Sequence, residues 1–417
     1  MTLVSIITPS HNPQFLNQAY ESLVAQTLSE WEWIVLLNNG AAWKSPEDER
    51  VKVISGAKVT GVGDAKRQAC EYATGDIIFE LDHDDVLLPK ALAKTIATFK
   101  KHPAASLVYS DAAVIDSNEK LIDTIYAEGF NWEYQTYKGT SVPTTFQPTP
   151  HNVSLIWYAP NHFRAFRRSA YLEVGGYNSE LDILDDQDLM SRLYQRGEFI
   201  KIPEILYLQR NHDANTQKEP VLNSRIQAET WMLYEHHFEQ NTLAWAKRNK
   251  LLALDMGAAH GKPNGYLGVD MREGADIVCT LPDRLPLEDN SVGIIRAYDF
   301  LEHVVDKVGV INELYRVLAP GGILLSRTPS TDGRGAFQDP THVAFYNENS
   351  FWYYTDENLR KYVPEIEARF QTSRLRTFFP TDWHRENNIS YVEANLIALK
   401  PLSPRNGGPI HFGDLNN

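Results

Sequence analysis

The sequence predicts an α/β protein made of two doubly wound domains. Length and composition come first: 417 residues, 43% of them hydrophobic, exceed one ordinary core and suggest two domains of about 200 residues each. Short apolar strands also alternate with helical stripes twice along the chain, the pattern of a mostly parallel sheet with covered faces. Finally, several of these strands run into acidic or glycine-containing turns, where open α/β sheets receive ligands.

The elements follow in order. Val4 to Thr8 is an apolar strand; Asn12 offers an N-cap with Pro13 at the first helical position. Leu16, Ala19, Leu23 and Val24 form the stripe of the next helix. Strands are expected at Glu32–Leu37, Val51–Ile54, Asp76–Leu81 and Ala105–Ser110, with helices over Gly63–Ala73 and from Pro89 to Lys101. Residues 124–160, rich in Thr, Pro, Tyr and Trp without a sustained period, read as a long loop layer. A helical connector is expected over 220–248, separating a first domain at 1–219 from a second at 249–400. The second domain opens with strands at Leu251–Asp255, Tyr266–Asp270, Gly293–Ala297 and Gly322–Ser326, and the Pro-, Gly- and Asn-containing segment 401–417 is expected to be a flexible tail.

Composition excludes several classes. A net charge of −14 argues against a broad nucleic-acid surface, because phosphate-backbone affinity comes largely from Lys and Arg releasing counterions. No apolar run reaches the ~18 residues that span a bilayer, and Met1–Ile7 reads as a strand without the basic region of a signal peptide. Cys70 and Cys279 form neither a disulfide framework nor a metal spacing. A cytoplasmic location is the expectation.

The most informative segment is Phe79-Glu80-Leu81-Asp82-His83-Asp84-Asp85, where a strand runs directly into three carboxylates within four residues. Carboxylates at a strand's C-terminal end repel a nucleotide diphosphate unless a hard cation such as Mg²⁺ or Mn²⁺ stands between them and the phosphates. Taken alone, such a string is more often a solvated acidic turn; its neighbours along the chain reverse that reading.

Those neighbours are the opening Ser5-Ile6-Ile7-Thr8-Pro9-Ser10-His11-Asn12, the passage from Ala65-Lys66-Arg67 to Thr74-Gly75-Asp76, Phe166-Arg167-Arg168 with Val174-Gly175-Gly176-Tyr177, and Asp185-Asp186-Gln187-Asp188-Leu189 followed by Arg192 and Arg210-Asn211-His212. In this order they resemble family 2 glycosyltransferases of the GT-A fold over roughly residues 1–215. The resemblance implies a metal-dependent, inverting, hexosyltransferase-like enzyme that uses a nucleotide-sugar donor and a glycan or other hydroxyl acceptor. It places Thr8, Pro9, Asn12, Asn38, Lys66 and Asp82 on the donor side, with Asp82 open between the ribose and the metal, and Asp84 and His212 at the metal. Asp186 matches the general base that takes the acceptor's proton during in-line displacement. His212 is open between metal ligand, diphosphate contact and structural residue, Arg210 between phosphate and a nearby acid, and Asp85 between shaping the turn, touching the acceptor and charging a helix start. Asp185 is expected to orient or repel its neighbour, and Asp188 to be exposed or salt-bridged. Asn38 and Asn39 stand where this family usually carries acids, and Arg67 where an Asn is common.

In the second half, Leu254-Asp255-Met256-Gly257-Ala258-Ala259-His260-Gly261, Gly268-Val269-Asp270, Phe300-Leu301-Glu302-His303-Val304 and Leu318-Ala319-Pro320-Gly321-Gly322 resemble class I methyltransferases that use S-adenosylmethionine. Small residues let the backbone of the first turn approach the cofactor, and Asp270 stands where a carboxylate holds two ribose hydroxyls. The resemblance implies a second Rossmann-like fold with Asp255, Gly257, Gly261 and Asp270 at the cofactor. A nicotinamide dinucleotide fold shares the glycine pattern; the Leu-Glu-His and Pro-Gly-Gly blocks favour the methyltransferase. Ala259 replaces a common Gly, and Gly293 a common Asp. Phe337-Gln338-Asp339-Pro340-Thr341-His342-Val343 resembles a block in some sugar methyltransferases, where Asp339 or His342 would deprotonate a hydroxyl; the competing reading is a rigid turn satisfied by its own hydrogen bonds. Phe351-Trp352-Tyr353-Tyr354 reads as packing.

The expected function is therefore a glycosyltransferase with a fused domain that methylates the sugar product. The alternatives are glycosylation of modified nucleic-acid bases, which the acidic balance disfavours, and a second domain that only binds or dimerises.

Overall fold

Val4, Ile6 and Ile7 are all buried, so the first strand is covered on both faces, as strands of helix-sandwiched sheets are. The structure is a computed structural model and describes residues 3–155, 158–212, 220–258 and 261–412. The chain divides into two compact units: Met1–Glu128 with Trp132–Asn241, and Gly129–Asn131 with Thr242–Asn417.

In the first unit the strands are β1 (Val4–Ser10), β2 (Trp31–Asn38), β3 (Val51–Ala57), β4 (Ile77–Glu80), β5 (Val86–Leu87), β6 (Ala105–Ile115), β7 (Leu121–Ile122), β8 (Tyr134–Tyr137), β9 (Thr140–Pro143), β10 (Arg164–Arg167) and β11 (Glu198–Arg210). One sheet runs β3-β2-β1-β4-β10-β6-β11-β5, with β7 on β6. The β1–β2, β1–β4, β2–β3 and β6–β11 pairs are parallel, but β10 is antiparallel to both β4 and β6, and β5 to β11. The sheet is thus mixed where a mostly parallel one was expected. Four residues of β10, Arg-Ala-Phe-Arg, are too short to show a period, yet they form the centre of the sheet.

The helices are α1 (Leu16–Val24), α2 (Val62–Glu71), α3 (Ala91–Lys101), α4 (Pro150–Ser154), α5 (Arg168–Glu173), α6 (Asp185–Arg196) and α7 (Pro220–Arg248). Asn12 caps a short turn, Pro13–Phe15, by accepting from Gln14 N, and α1 follows it. The 124–160 segment departs from the loop expectation: β8 and β9 form a hairpin, α4 adds a turn, and Thr145 N donates to the buried Asp111 at 2.7 Å.

The second unit carries β12 (Leu252–Met256), β13 (Leu267–Asp270), β14 (Ile277–Val278), β15 (Val292–Tyr298), β16 (Leu318–Pro329), β17 (Phe370–Phe378) and β18 (Tyr391–Ala398), in the order β14-β13-β12-β15-β16-β18-β17. The first five are parallel, and β18 is antiparallel to both its neighbours, β16 and β17. Its core packs Leu254, Ile295, Leu324 and Leu396 beneath the helix Lys307–Val317 through Val310 and Leu314. The segment from 401 is not a free tail as far as it is described: Asn406 is buried, Gln371 Nε2 donates to Gly407 O, and His411 pairs with Asp356. Those contacts satisfy backbone groups, which composition alone does not reveal; residues 413–417 lie outside the described residues. Among the described residues no helix is long and apolar enough to cross a membrane.

Candidate active site

The end of β4 collects charge. Glu80 is the last residue of a strand whose other members, Ile77, Ile78 and Phe79, are apolar and buried, and Glu80 is buried with them. A carboxylate there requires cations, and two come to it: Arg164 Nε lies 2.6 Å from Glu80 Oε2 and Lys66 Nζ 4.0 Å from Oε1. The Arg164 contact is close but off the directions a hydrogen bond prefers, so it is chiefly an ion pair.

Both cations also reach the start of α6. Arg164 Nη1 donates to Asp186 Oδ2 at 2.8 Å, and Lys66 Nζ lies 3.1 Å from Asp185 Oδ2. Burial pushes the Asp186 carboxyl up, but Arg164 and then Lys66 outweigh it and hold the group well below the usual carboxylate range. Asp185, more deeply buried, is pushed up to about 6 by that burial against the pull of Lys66. Lys66 is drawn down by burial, yet Asp185 and Glu80 more than restore its charge. Gly63 permits this approach: a Cβ there would sit 2.8 Å from Asn178 O and Leu181 O and 2.9 Å from Asp185 Cβ.

The acidic turn itself separates into three roles. Asp82 is the most open of them, its side chain 40% exposed, with His162 Nε2 3.7 Å away. Asp84 meets His212, whose Nε2 is 2.8 Å from Oδ2. Asp85 is buried and accepts from Arg210 N at 2.7 Å; burial, then the charges of Asp84 and Asp82, push its carboxyl well above the usual range. Of the open readings for Asp85, the turn-shaping one matches this geometry, since it ties the turn to the end of β11. Of the readings open for Arg210, the nearby acid matches: its guanidinium is fully buried, donates to Asp84 O and Asp116 O, and lies 3.4 Å from Glu119 Oε1. Asp188 is likewise not exposed but buried, ion-paired with Arg192 and 3.1 Å from His237 Nε2.

On the expected donor side, Pro9 and Asn12 are half-buried at the end of β1. Thr8 differs from expectation, because its hydroxyl donates to Leu81 O and accepts from Trp33 Nε1 within the core. It joins β1 to the strand carrying the carboxylates and offers no free group. Asn38 is buried at the end of β2 with its Oδ1 unpartnered, an acceptor left for a ligand or water. Arg67 supports the fold through Tyr177 O at 2.9 Å.

In the second unit, Gly257 follows β12 at φ 73°, and its N donates to Val269 O. A Cβ there would meet Phe300 Cδ2 at 3.2 Å. Gly261 has φ 132° and open space around it, while Ala259 and His260 lie outside the described residues. Asp270 ends β13, with Oδ1 accepting from Arg272 N. Asp255 is buried and accepts from Arg296 at 2.8 Å, so one of its oxygens is committed within the sheet. Asp339 accepts from Thr341 N and Oγ1, and His342 Nδ1 is 3.0 Å from Ala336 O; the rigid-turn description thus matches Asp339, and His342 is held by the same turn. Phe351 and Tyr354 belong to the core, whereas Trp352 and Tyr353 are exposed.

Sequence reasoning missed Glu80, His162 and Arg164. Glu80 carried a signal, a lone acid closing an apolar strand, which demands a buried cation. Arg164 carried none, because its partners lie 84 and 22 residues away and only the fold unites them.

Residues 5–175 match the model of "Glycosyl transferase family 2" and residues 245–326 that of a "Methyltransferase domain". An O-antigen biosynthesis protein, RfbC, of Myxococcus xanthus is 24% identical over 68% of this chain and 22% of its own length. A chondroitin synthase of Escherichia coli is 29% identical over 51% of this chain and 30% of its own. The chain therefore spans less than a third of the length of these relatives. Among solved structures, S. aureus TarS 1-349 in complex with UDP-GlcNAc aligns over 60% of this chain and 72% of that one, at 13% identity and a TM-score of 0.42. The chain thus joins a domain similar to glycosyl transferase family 2, over residues 5–175, to one similar to a methyltransferase domain, over residues 245–326.

Proposed function

We propose that the first unit transfers a sugar from a nucleotide-diphosphate donor to a hydroxyl acceptor with inversion, and that the second methylates the sugar product with S-adenosylmethionine. The observation that supports this most is the single charged cluster at the end of β4: Lys66 and Arg164 bridge Glu80 to Asp185 and Asp186, beside the Asp82–Asp84 turn. A cation, Mn²⁺ or Mg²⁺, fits Asp84, whose oxygen-donor chemistry suits either ion, with His212 as its neighbour. Bound there, the cation would neutralise the departing diphosphate. Asp186, whose side chain is 27% exposed, would take the acceptor's proton, and the orphaned Asn38 Oδ1 would meet the base. The named relatives synthesise chondroitin or take part in O-antigen biosynthesis, which favours a glycan acceptor. Asp270 and the turn at Gly257 and Gly261 would hold S-adenosylmethionine, with Asp255 bracing the turn through Arg296.

Thermal shifts with a panel of nucleotide diphosphates and nucleotide sugars, each with and without Mn²⁺, and with S-adenosylmethionine in parallel, test the proposal. A ligand that binds only the folded chain at 100 times its Kd stabilises it by about 2.7 kcal/mol. A metal-dependent shift with one nucleotide is expected, and a separate one with S-adenosylmethionine. No shift with any nucleotide overturns the first assignment. No shift with S-adenosylmethionine leaves the second unit a non-catalytic module.

A further inference from the structure

The second unit contains a group of ligand atoms that the two transferase assignments do not use. Glu302, His303 and His342 each offer one such atom, and the three atoms lie within 4.8 Å of one another; among the described residues this is the only trio of His, Cys, Asp or Glu so arranged. Glu302 and His303 form the short turn Leu301–His303 after β15, and His342 follows the Gly335–Gln338 helix. Val343 N and Ala344 N both donate to Glu302 O at 2.9 Å, which holds the two segments together.

Each side chain is already aimed. Glu302 is 2% exposed; its Oε2 accepts from Thr328 Oγ1 at 2.7 Å, while Oε1 has no hydrogen-bond partner. A buried carboxylate oxygen left alone loses its hydration without compensation, and a cation would offset that. His342 Nδ1 faces Ala336 O at 3.0 Å, and His303 Nδ1 faces Thr341 O at 3.2 Å. A carbonyl only accepts, so these contacts favour the Nδ1–H tautomer of each neutral ring, with the Nε2 lone pair left for a cation; Thr341 Oγ1 also lies 3.2 Å from His303 Nδ1. Fixing a ring through its far nitrogen is how proteins orient metal-binding histidines. The two rings meet edge to face at 5.1 Å.

We propose that Glu302, His303 and His342 form a site for a divalent transition-metal cation. Two imidazoles and one carboxylate suit Mn²⁺, Fe²⁺, Co²⁺ or Zn²⁺ better than Mg²⁺ or Ca²⁺, which prefer all-oxygen shells. Three protein ligands leave positions open. These face the surface, because His303 is exposed and Asp339, with Oδ2 3.9 Å from His342 Nε2, stands at the rim. A hydroxyl- or carboxylate-bearing ligand can complete the shell there. The site is independent of the cation assigned to Asp84.

The test uses the full chain carrying His212→Ala, which weakens the Asp84 site, stripped with chelator and titrated with Co²⁺. One equivalent is expected to bind, with two hyperfine-shifted, exchangeable imidazole N–H proton signals by NMR. Glu302→Gln keeps the Thr328 contact and His303→Asn changes an exposed side chain; each, added to that background, should weaken Co²⁺ binding by about ten-fold or more. His342→Asn should remove one shifted signal. Melting of the metal-free variants shows whether each is folded. Folded variants that bind Co²⁺ as tightly as the parent overturn the proposal, as does a parent chain that binds none or shows no shifted imidazole protons.

Discussion

Arg164 holds Asp186 directly, Nη1 to Oδ2 at 2.8 Å, while the same guanidinium faces Glu80 at 2.6 Å. One buried cation thus links the strand bearing the acidic turn to the helix bearing the proposed base. A general base works best with its pKa near the operating pH, and in this arrangement Asp186 is held far below it. For Asp186 to serve as the proposed base, the Arg164 contact would have to loosen as the acceptor arrives.

Replacing Arg164 by Gln removes that link and leaves Glu80 buried with only the more distant Lys66. Breaking a buried pair typically costs about 3–5 kcal/mol. Urea denaturation of Arg164→Gln at pH 7 should show a loss of that order; a loss below about 1 kcal/mol would mean that water already screens the cluster.

Asp186→Asn should lower sugar transfer by about a hundred-fold or more with donor binding largely retained. Single-turnover transfer and nucleotide affinity separate the two effects. Loss of affinity with transfer intact in what still binds would move Asp186 from base to donor contact.

Asp84→Ala and His212→Ala should each abolish the Mn²⁺-dependent part of the nucleotide thermal shift while leaving any metal-independent part. If the Mn²⁺ dependence survives in both, the cation lies elsewhere in the first unit.

Glu32 gives a pH dependence of known sign. Burial pushes its carboxyl up, but Lys52, Ser5 and Thr74 outweigh burial and hold it at about 2, with Lys52 Nζ 2.6 Å from Oε2. A depressed carboxylate stabilises the fold above its unfolded pKa of about 4.3, and that stability is lost as pH falls toward 2. The contribution is about 3 kcal/mol at neutral pH. Glu32→Gln should flatten the stability curve between those limits, which denaturation across a pH series would show; a parallel curve would contradict the assignment.

Gly63→Ala introduces a methyl where the nearest atoms stand at 2.8–2.9 Å, two of them backbone oxygens. Overpacking of this kind costs about 1–3 kcal/mol. It should also part Lys66 from Asp185, so a lower melting temperature with weakened nucleotide binding is expected. Unchanged melting would show that the loop before α6 yields freely.

The sequence by itself determined the strand–helix alternation of both units, because burial on both sheet faces writes apolar runs that end in turn residues. It also marked the acidic turn, the Asp185–Asp188 run and the glycines after β12, since these chemistries occupy short contiguous segments. Tertiary structure alone decided the rest. The antiparallel insertion of β10, the capture of Glu80 and Asp186 by Arg164, the burial of Arg210 and the packing of residues up to 412 all join groups far apart in sequence. Hydrogen bonds and ion pairs of that range leave no local pattern, because a polar side chain reads the same in the chain whether water or a buried partner satisfies it.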